Sequence, residues 1–255
     1  MRISSIVAGI LGLSLLAAPA MAQRGPTVQE AGEEELAAPI GLVQSPTAYT
    51  LPANRWLIGG GTFQQAVTAR GGDDQFTAGI FRGLAENLHV GAFWTGVEVR
   101  RPDGRDVTES FFGGAAQWKF AEEGTYGGFS PALSIGGYAY TGPGNGGTAY
   151  LVASKNLMGE VRPGALFLHA GARWDTFDNS GIDDSGIVPF VGANLLLTRD
   201  LSLLAEWRDN QDWELDEVMA VGALYRLGPN LVISAGVQDP GVGDWKFFGG
   251  LSIIP

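Results

Sequence analysis

Histidine, the side chain that most often serves as a general base, occurs twice in the chain, at His89 and His169. Paired with a nucleophilic serine, either residue would suit a barrel hydrolase. No serine lies in a Gly-x-Ser-x-Gly turn, however. His169 falls in the middle of a predicted strand, and His89 begins another at the predicted periplasmic side. We therefore predict that both histidines line an interior and that the chain is not an enzyme, with a barrel hydrolase as the remaining alternative.

Two acidic stretches are the candidates for a metal site. Residues 209–214 begin like a calcium loop, but the glycine expected at the sixth position and the glutamate expected at the twelfth are missing. Residues 176–185 contain three aspartates, Asp178, Asp183 and Asp184, without the spacing of metal ligands. We predict no metal and no cofactor, and we interpret both stretches as solvated loops.

A further set of residues is polar or aromatic and falls on one face of the predicted strands. If those strands close into a barrel, this face would line the lumen. Its mixed charge predicts no strong ion selectivity, and its aromatic rings would suit the face of a sugar. The candidate lumen-lining residues are Gln117, Lys119, Tyr138, Tyr140, His169, Arg173, Glu206, Arg208, Gln238 and Lys246.

The elements that would position these residues are short strands of alternating character. From about Arg55 onward, stretches of some ten residues alternate between apolar and small or polar side chains, and a turn follows each. Transmembrane β-strands need about 9–11 residues each. The twelve predicted strands are Arg55–Gln65, Gln75–Leu84, Leu88–Val99, Glu109–Phe120, Pro131–Thr141, Thr148–Asn156, Ala165–Asp175, Val188–Thr198, Leu201–Arg208, Glu217–Leu227, Asn230–Gln238 and Trp245–Ile254.

The connections between these strands favour a membrane barrel over a soluble periplasmic β-sandwich, which would alternate in the same way. Connections after even-numbered strands are mostly short, as at 85–87, 199–200 and 228–229. Those after odd-numbered strands are mostly longer and acidic, as at 66–74, 100–108, 176–187 and 209–216. Outer-membrane barrels sort their loops in this manner, with the short turns in the periplasm. We predict an all-β, antiparallel, up-and-down transmembrane barrel of about 12 strands.

Tryptophans near the predicted strand ends are typical of the aromatic girdles of such barrels. They are Trp56, Trp94, Trp118, Trp174, Trp207 and Trp245.

The N-terminal residues predict export. Arg2 is followed by the apolar stretch 6–18 and by Ala20-Met21-Ala22, the pattern of a cleaved secretory signal peptide. We expect a signal peptide at 1–22, a periplasmic leader at 23–50 and an outer-membrane barrel at 51–255. The net charge of −11 argues against a nucleic-acid partner, and without cysteine the chain has neither disulfides nor a lipoprotein anchor.

The stretch that leads into the first strand resembles the opening of YjbH-type outer-membrane barrels, which are linked to exopolysaccharide production. Residues 40–48 read Ile-Gly-Leu-Val-Gln-Ser-Pro-Thr-Ala and are followed by Leu51-Pro52. In that family a Gly-Leu/Ile-x-x-(Thr/Ser)-Pro-x-Ala stretch precedes the barrel. Because the residue before proline is pushed out of the helical region, Ser45-Pro46 should hold the chain extended. The segment could line the periplasmic mouth, enter the lumen or act as a passive tether.

These observations together predict a protein of the Gram-negative cell outer membrane. We expect a small pore or an exopolysaccharide secretion accessory, with a general porin-like channel for small solutes as the alternative. Its expected partners are outer-membrane lipid and lipopolysaccharide, the barrel-assembly machinery, and polysaccharide or small solutes as cargo.

Overall fold

In the computed structural model of the protein, strands whose side chains alternate in character form the wall of a barrel. The structure describes residues 42–68, 71–100, 105–179, 182–209, 217–239 and 245–255, with the backbone alone at 64–68, 71–73, 99–100, 179 and 182–184. The strands are β1 (Trp56–Thr68), β2 (Gly71–Ala85), β3 (Leu88–Arg100), β4 (Asp106–Ala121), β5 (Ala132–Thr141), β6 (Asn145–Asn156), β7 (Leu166–Asn179), β8 (Ile182–Leu196), β9 (Leu201–Arg208), β10 (Val218–Arg226), β11 (Leu231–Asp239) and β12 (Lys246–Ile253).

Each strand pairs with its neighbours in sequence, and β12 pairs with β1 to close the barrel. The closing register places Ile58 opposite Ile253 and Phe63 opposite Phe248, and every pairing is antiparallel. Closure leaves no unpaired sheet edge, as a membrane-spanning sheet requires. The prediction of a closed up-and-down barrel of twelve antiparallel strands is confirmed.

Side chains on the outer surface of the wall are apolar, which excludes the sandwich alternative. In β6, Leu151 is 53% exposed, whereas its neighbours Tyr150 and Val152 are buried inside the barrel. The same alternation runs through β10 and β11, where Met219, Val221 and Ile233 point outward. A sandwich would bury its apolar face, but here that face is the exposed one. Hydrocarbon is the surrounding that stabilises such a surface.

Four of the six predicted girdle tryptophans, Trp56, Trp118, Trp174 and Trp245, are exposed on this outer surface. The other two, Trp94 and Trp207, are half-buried.

Over the described residues, no helix is both long and apolar enough to cross a membrane.

The long connections predicted after odd-numbered strands are largely strand. β1 continues to Thr68 and β2 begins at Gly71, and β7 continues to Asn179 with β8 beginning at Ile182. The prediction of loops is therefore wrong at residues 66–68, 71–74, 100, 106–108, 176–179 and 182–187, which are strand. Residues 69–70, 101–104 and 180–181 lie outside the described part of the chain. Polar residues of these hairpins stay in the hydrogen-bonded ladder. The stretch 210–216 lies outside the described residues.

On the inner face, large aromatic rings lie opposite glycines of the neighbouring strand. Phe81 lies directly opposite Gly91, Phe93 opposite Gly113, Tyr150 opposite Gly136, Phe190 opposite Gly171, and Phe248 opposite Gly236. A Cβ placed at any of these glycines would meet the ring across from it. The rings can therefore lie flat over the neighbouring backbone, in the manner of aromatic rescue of glycine in β-sheets. This pairing accounts for glycine at these five positions.

Candidate functional site in the barrel lumen

The lumen is occupied by residues 42–51, which we call the luminal segment. All ten residues are buried. They contact inward-facing side chains of strands all around the barrel: His89 of β3, Gln117 of β4, Ser134 of β5, Ser154 of β6, Glu206 of β9 and Gln238 of β11. A segment that touches opposite sides of a closed wall lies inside it. Of the three roles considered for this stretch, the structure therefore places its described part in the lumen.

The tip of the segment is a tight turn held by charged and amide side chains. The backbone N–H of Leu42 donates to the Ser45 carbonyl across 3.0 Å. The backbone N–H groups of Gln44 and Ser45 both donate to Glu206 Oε2, at 2.9 and 3.2 Å, and the Ser45 hydroxyl donates to Glu206 Oε1 at 2.8 Å. Glu206 also lies 3.0 Å from Arg208 Nε. One buried carboxylate thus accepts three hydrogen bonds from two consecutive residues.

The Gln44 side chain is bound at both ends of its amide. Its Nε2 donates to Gln238 Oε1 at 2.7 Å, and its Oε1 accepts a hydrogen bond from the Arg208 guanidinium. An amide side chain supplies both the donor and the acceptor that these contacts use, and an apolar or acidic side chain of similar size would not. The wall therefore recognises the type of residue at position 44.

Farther along the segment, the wall binds backbone atoms. Gln117 Nε2 donates to the carbonyls of Thr47 and Tyr49, at 2.9 and 3.0 Å. The Ala48 N–H donates to Ser154 Oγ at 2.7 Å, and the Ala48 carbonyl accepts from the Ser134 hydroxyl at 2.7 Å. Backbone N–H and C=O groups of residues 47–49 thus face polar side chains of three strands.

The segment leaves the lumen at the rim that carries the short β2–β3 turn, the periplasmic rim of an outer-membrane barrel. The Leu51 N–H donates to His89 Nδ1 at 3.3 Å, and the Thr50 hydroxyl donates to the Glu86 carbonyl at 2.9 Å. The Tyr49 hydroxyl donates to Glu123 in the β4–β5 turn. These contacts attach the segment to two turns of the rim.

Apolar residues of the segment pack on inward rings and aliphatic side chains. Val43 belongs to a cluster with Phe63, Leu204, Ala220, Leu224, Val232 and Phe248. Ala48 and Tyr49 pack in a second cluster around Phe167 and Phe190, and Leu51 packs with Leu57, Phe81 and Ile254. Fully burying one such aliphatic side chain contributes about 1.5–3 kcal/mol. Polar and apolar contacts thus both stabilise the segment in the lumen.

Nine of the ten candidate lumen residues are buried on the inner face, and Lys246 is half-buried. Gln117, Glu206, Arg208 and Gln238 contact the luminal segment directly. Others lie among the charged and aromatic residues of the wall: Arg173 pairs with Asp175 at 2.9 Å, Lys119 pairs with Glu122 at 2.8 Å, and Tyr138 stacks near Tyr140 with ring centroids 6.5 Å apart. The candidates are therefore neighbours of a filled interior.

Among the described residues a serine and a histidine are in contact, as a hydrolase would need, but they do not form a catalytic triad. Ser154 Oγ lies 2.8 Å from His169 Nδ1. The same oxygen accepts the Ala48 N–H, and His169 Nε2 has no hydrogen-bond partner among the described residues, so no acid orients the ring. In this structure the pair positions the luminal segment. The described residues also contain no group of three His, Asp or Glu side chains that could hold a metal ion.

Several residues that hold the segment were absent from the sequence-based set. They are Gln44, Ser45, Glu123, Ser134 and Ser154. One signal was present: residues 42–51 contain no charged residue, whereas the stretch before them is acidic. An uncharged segment next to a barrel is suited to burial inside it.

Comparison with protein-family models gave no match, and no curated protein matched the chain. Among solved structures, a KdgM porin superposes with a TM-score of 0.54 at 11% identity, covering 77% of this chain and 98% of that one. A KdgM porin in complex with disordered oligogalacturonate gives 0.54 at 12% identity, with the same coverage. The outer membrane protein Omp33 of Acinetobacter baumannii gives 0.43 at 8% identity, covering 79% of this chain and 98% of that one. At these identities the likeness is one of fold.

The closed wall, its apolar outer surface and this likeness define the class of the protein. It is a twelve-stranded β-barrel of the outer membrane with a porin-like fold. Within that class it is a barrel whose lumen contains its own residues 42–51.

Proposed function

We propose that the protein is a small gated pore of the outer membrane, closed by its luminal segment and open to extended neutral saccharides when the segment leaves. The observation that carries the proposal is the burial of ten consecutive residues inside the barrel, with hydrogen bonds to six strands. At this level the interior is packed like a protein core. A solute can pass only if the segment moves.

Buried polar groups of the inner wall support a lumen that opens. Both amide atoms of Asn194 and the hydroxyls of Ser202 and Ser252 are buried without a hydrogen-bond partner among the described residues. Each such group costs about 1–3 kcal/mol. Water entering an open lumen would satisfy them. A wall designed only as a permanent core would be apolar at these positions.

The charges of the inner wall support a neutral cargo. The guanidinium groups of Arg173 and Arg208 are paired with Asp175 and Glu206, so these inner charges cancel. The oligogalacturonate of the KdgM complex is an anionic polymer, and an anionic chain would need unpaired basic groups. Amides, hydroxyls and aromatic rings remain here as binding groups, and they suit neutral sugars.

The resemblance of residues 40–48 to the opening of YjbH-type barrels supports an exopolysaccharide as the natural cargo. We assign the protein no enzymatic role, since the serine–histidine contact positions the segment. A strain lacking the protein should have an altered surface or matrix polysaccharide. An unchanged sugar profile would contradict this part of the proposal.

Ser45→Asp tests the gate, because it places a second carboxylate beside Glu206 where a hydroxyl now donates at 2.8 Å. We expect the wild-type chain to be mostly silent in a planar bilayer and Ser45→Asp to conduct. Thr125→Asp adds the same charge in the exposed β4–β5 turn and should remain silent. A neutral glucose oligomer should block the open variant more strongly than a uronate of equal length. A silent but folded Ser45→Asp barrel would refute the gate, and stronger block by the uronate would refute the neutral cargo.

A further inference from the structure

The wall groups that hold the luminal segment have partners of their own within the wall. Gln117 Oε1 accepts a hydrogen bond from the Tyr150 hydroxyl at 2.8 Å, on the side opposite to its contacts with the segment. Ser154 Oγ is placed by His169, and the Glu206 carboxylate by Arg208. Because these contacts do not involve the segment, they preorganise the site, and preorganised groups lose less entropy on binding.

The contacts themselves are those of peptide recognition. The wall binds N–H and C=O groups of five residues, and it discriminates side chains at two positions. The Gln44 amide is hydrogen-bonded to both Arg208 and Gln238, and the Ser45 hydroxyl is hydrogen-bonded to Glu206. Ala48 is fully buried between its neighbours, so a bulky side chain such as that of leucine or phenylalanine would not fit there.

We infer that the inner wall of β4, β5, β6, β9 and β11 is a preformed, sequence-selective peptide-binding site. Its ligand class is an uncharged peptide that turns at Gln-Ser and continues with Pro-x-Ala, and residues 42–51 are its tethered ligand. The inference rests on the proposed gate for its role, but not for its binding chemistry. A separate peptide of the same sequence can then take the place of the tethered one.

The connection between segment and wall offers a way to test this on the folded protein. The chain leaves the lumen through a turn at residues 52–55, where Asn54 and Arg55 are exposed. A protease recognition site inserted between Ala53 and Asn54 lets the full chain fold before it is cut. The released N-terminal fragment is then held by noncovalent contacts alone, and a fluorescent peptide of residues 42–51 can exchange with it in detergent.

We expect the cut fragment to co-elute with the barrel and the labelled peptide to replace it saturably. A Gln44→Leu peptide, which leaves Arg208 and Gln238 without their shared partner, should bind at least about tenfold more weakly. A peptide of residues 42–55 that carries Arg55→Lys, a change at an exposed residue outside the lumen, should bind as its unsubstituted counterpart does. Immediate loss of the fragment with no peptide binding, or equal binding of the Gln44→Leu peptide, would overturn the inference.

The outcomes separate this inference from the gate. If the cut protein conducts after losing its fragment and no peptide rebinds, the gate stands and the peptide site fails. If the peptide exchanges but the emptied barrel stays silent, the peptide site stands and the pore fails. A mobility shift between boiled and unboiled samples establishes in each case that the barrel is folded.

Discussion

Glu206→Gln should loosen the luminal segment more than any other change that preserves side-chain size. The carboxylate accepts two backbone N–H groups through Oε2, while Oε1 faces the Ser45 hydroxyl and Arg208. A glutamine whose oxygen stays on the N–H groups turns its NH2 towards Arg208. The buried guanidinium then loses its ion-pair partner.

The size of this effect follows from the burial of the pair. Removing one partner of a buried ion pair costs roughly 3–5 kcal/mol. With the segment displaced, water hydrates Arg208, so most of the cost falls on the closed state. A shift of about 3 kcal/mol towards the open state raises its population about a hundredfold.

A single cysteine at position 47 can report that population, because the chain has no native cysteine. Thr47 is fully buried in the segment. Where closing is faster than labelling, the labelling rate follows the open population. We expect a maleimide reagent to label Thr47→Cys about a hundredfold faster in the Glu206→Gln background.

Glu160→Gln makes the same chemical change at an exposed residue of the β6–β7 turn. It should alter the labelling rate less than about twofold. Equal labelling rates for Glu206→Gln and the unsubstituted background would refute the assignment of Glu206 as a residue that holds the segment.

Three further predictions address the rim, the turn and the membrane surface. Tyr49→Phe removes the hydrogen bond to Glu123 and should raise the maleimide labelling rate of Thr47→Cys about tenfold, since hydrogen bonds to charged groups contribute about 1.5–3 kcal/mol. An unchanged rate would contradict the contact. Gly83→Ala should hinder insertion of the segment into the lumen, because its Cβ would collide with the backbone carbonyls of residues 52 and 51. Gly114→Ala meets its nearest atom at 3.5 Å and should be tolerated. Equal heat stability of the two variants on gels would count against this packing. Leu151→Arg should destabilise the folded barrel by about 2–4 kcal/mol in urea titrations in lipid vesicles, as a charge in hydrocarbon does, and no loss would argue against a lipid-facing position.

The strands could be predicted from the sequence because the cause of each is local. Alternation along Leu201–Arg208 gives β9 with the same bounds as the structure, and the other eleven predicted strands all overlap observed ones. The inward direction of Glu206 and Arg208 follows from the same period of two. The hairpins beyond the wall were missed because polar residues in a paired strand and in a loop look alike in sequence.

The contents of the lumen could not be predicted in the same way. The contact between Gln44 and Glu206 joins residues 162 positions apart, and no local pattern encodes it. Uncharged residues before a barrel are equally compatible with a tether and with a segment inside the lumen. Inward glycines opposite rings, such as Gly113 opposite Phe93, become recognisable only when the register between strands is known.

The most direct test of the account is a disulfide between the segment and the wall. The Ala48 N–H donates to Ser154 Oγ at 2.7 Å, which limits the separation of the two Cα atoms to about 7 Å and brings cysteines at these positions within reach of each other. With Ala48→Cys and Ser154→Cys together, we predict nearly complete cross-linking of the folded protein under mild oxidation, read by mass spectrometry of peptides. Ala48→Cys with Phe129→Cys, in an exposed turn, should not cross-link. No bond in the first pair, or equal bonding in both, would contradict the placement of residues 42–51 in the lumen.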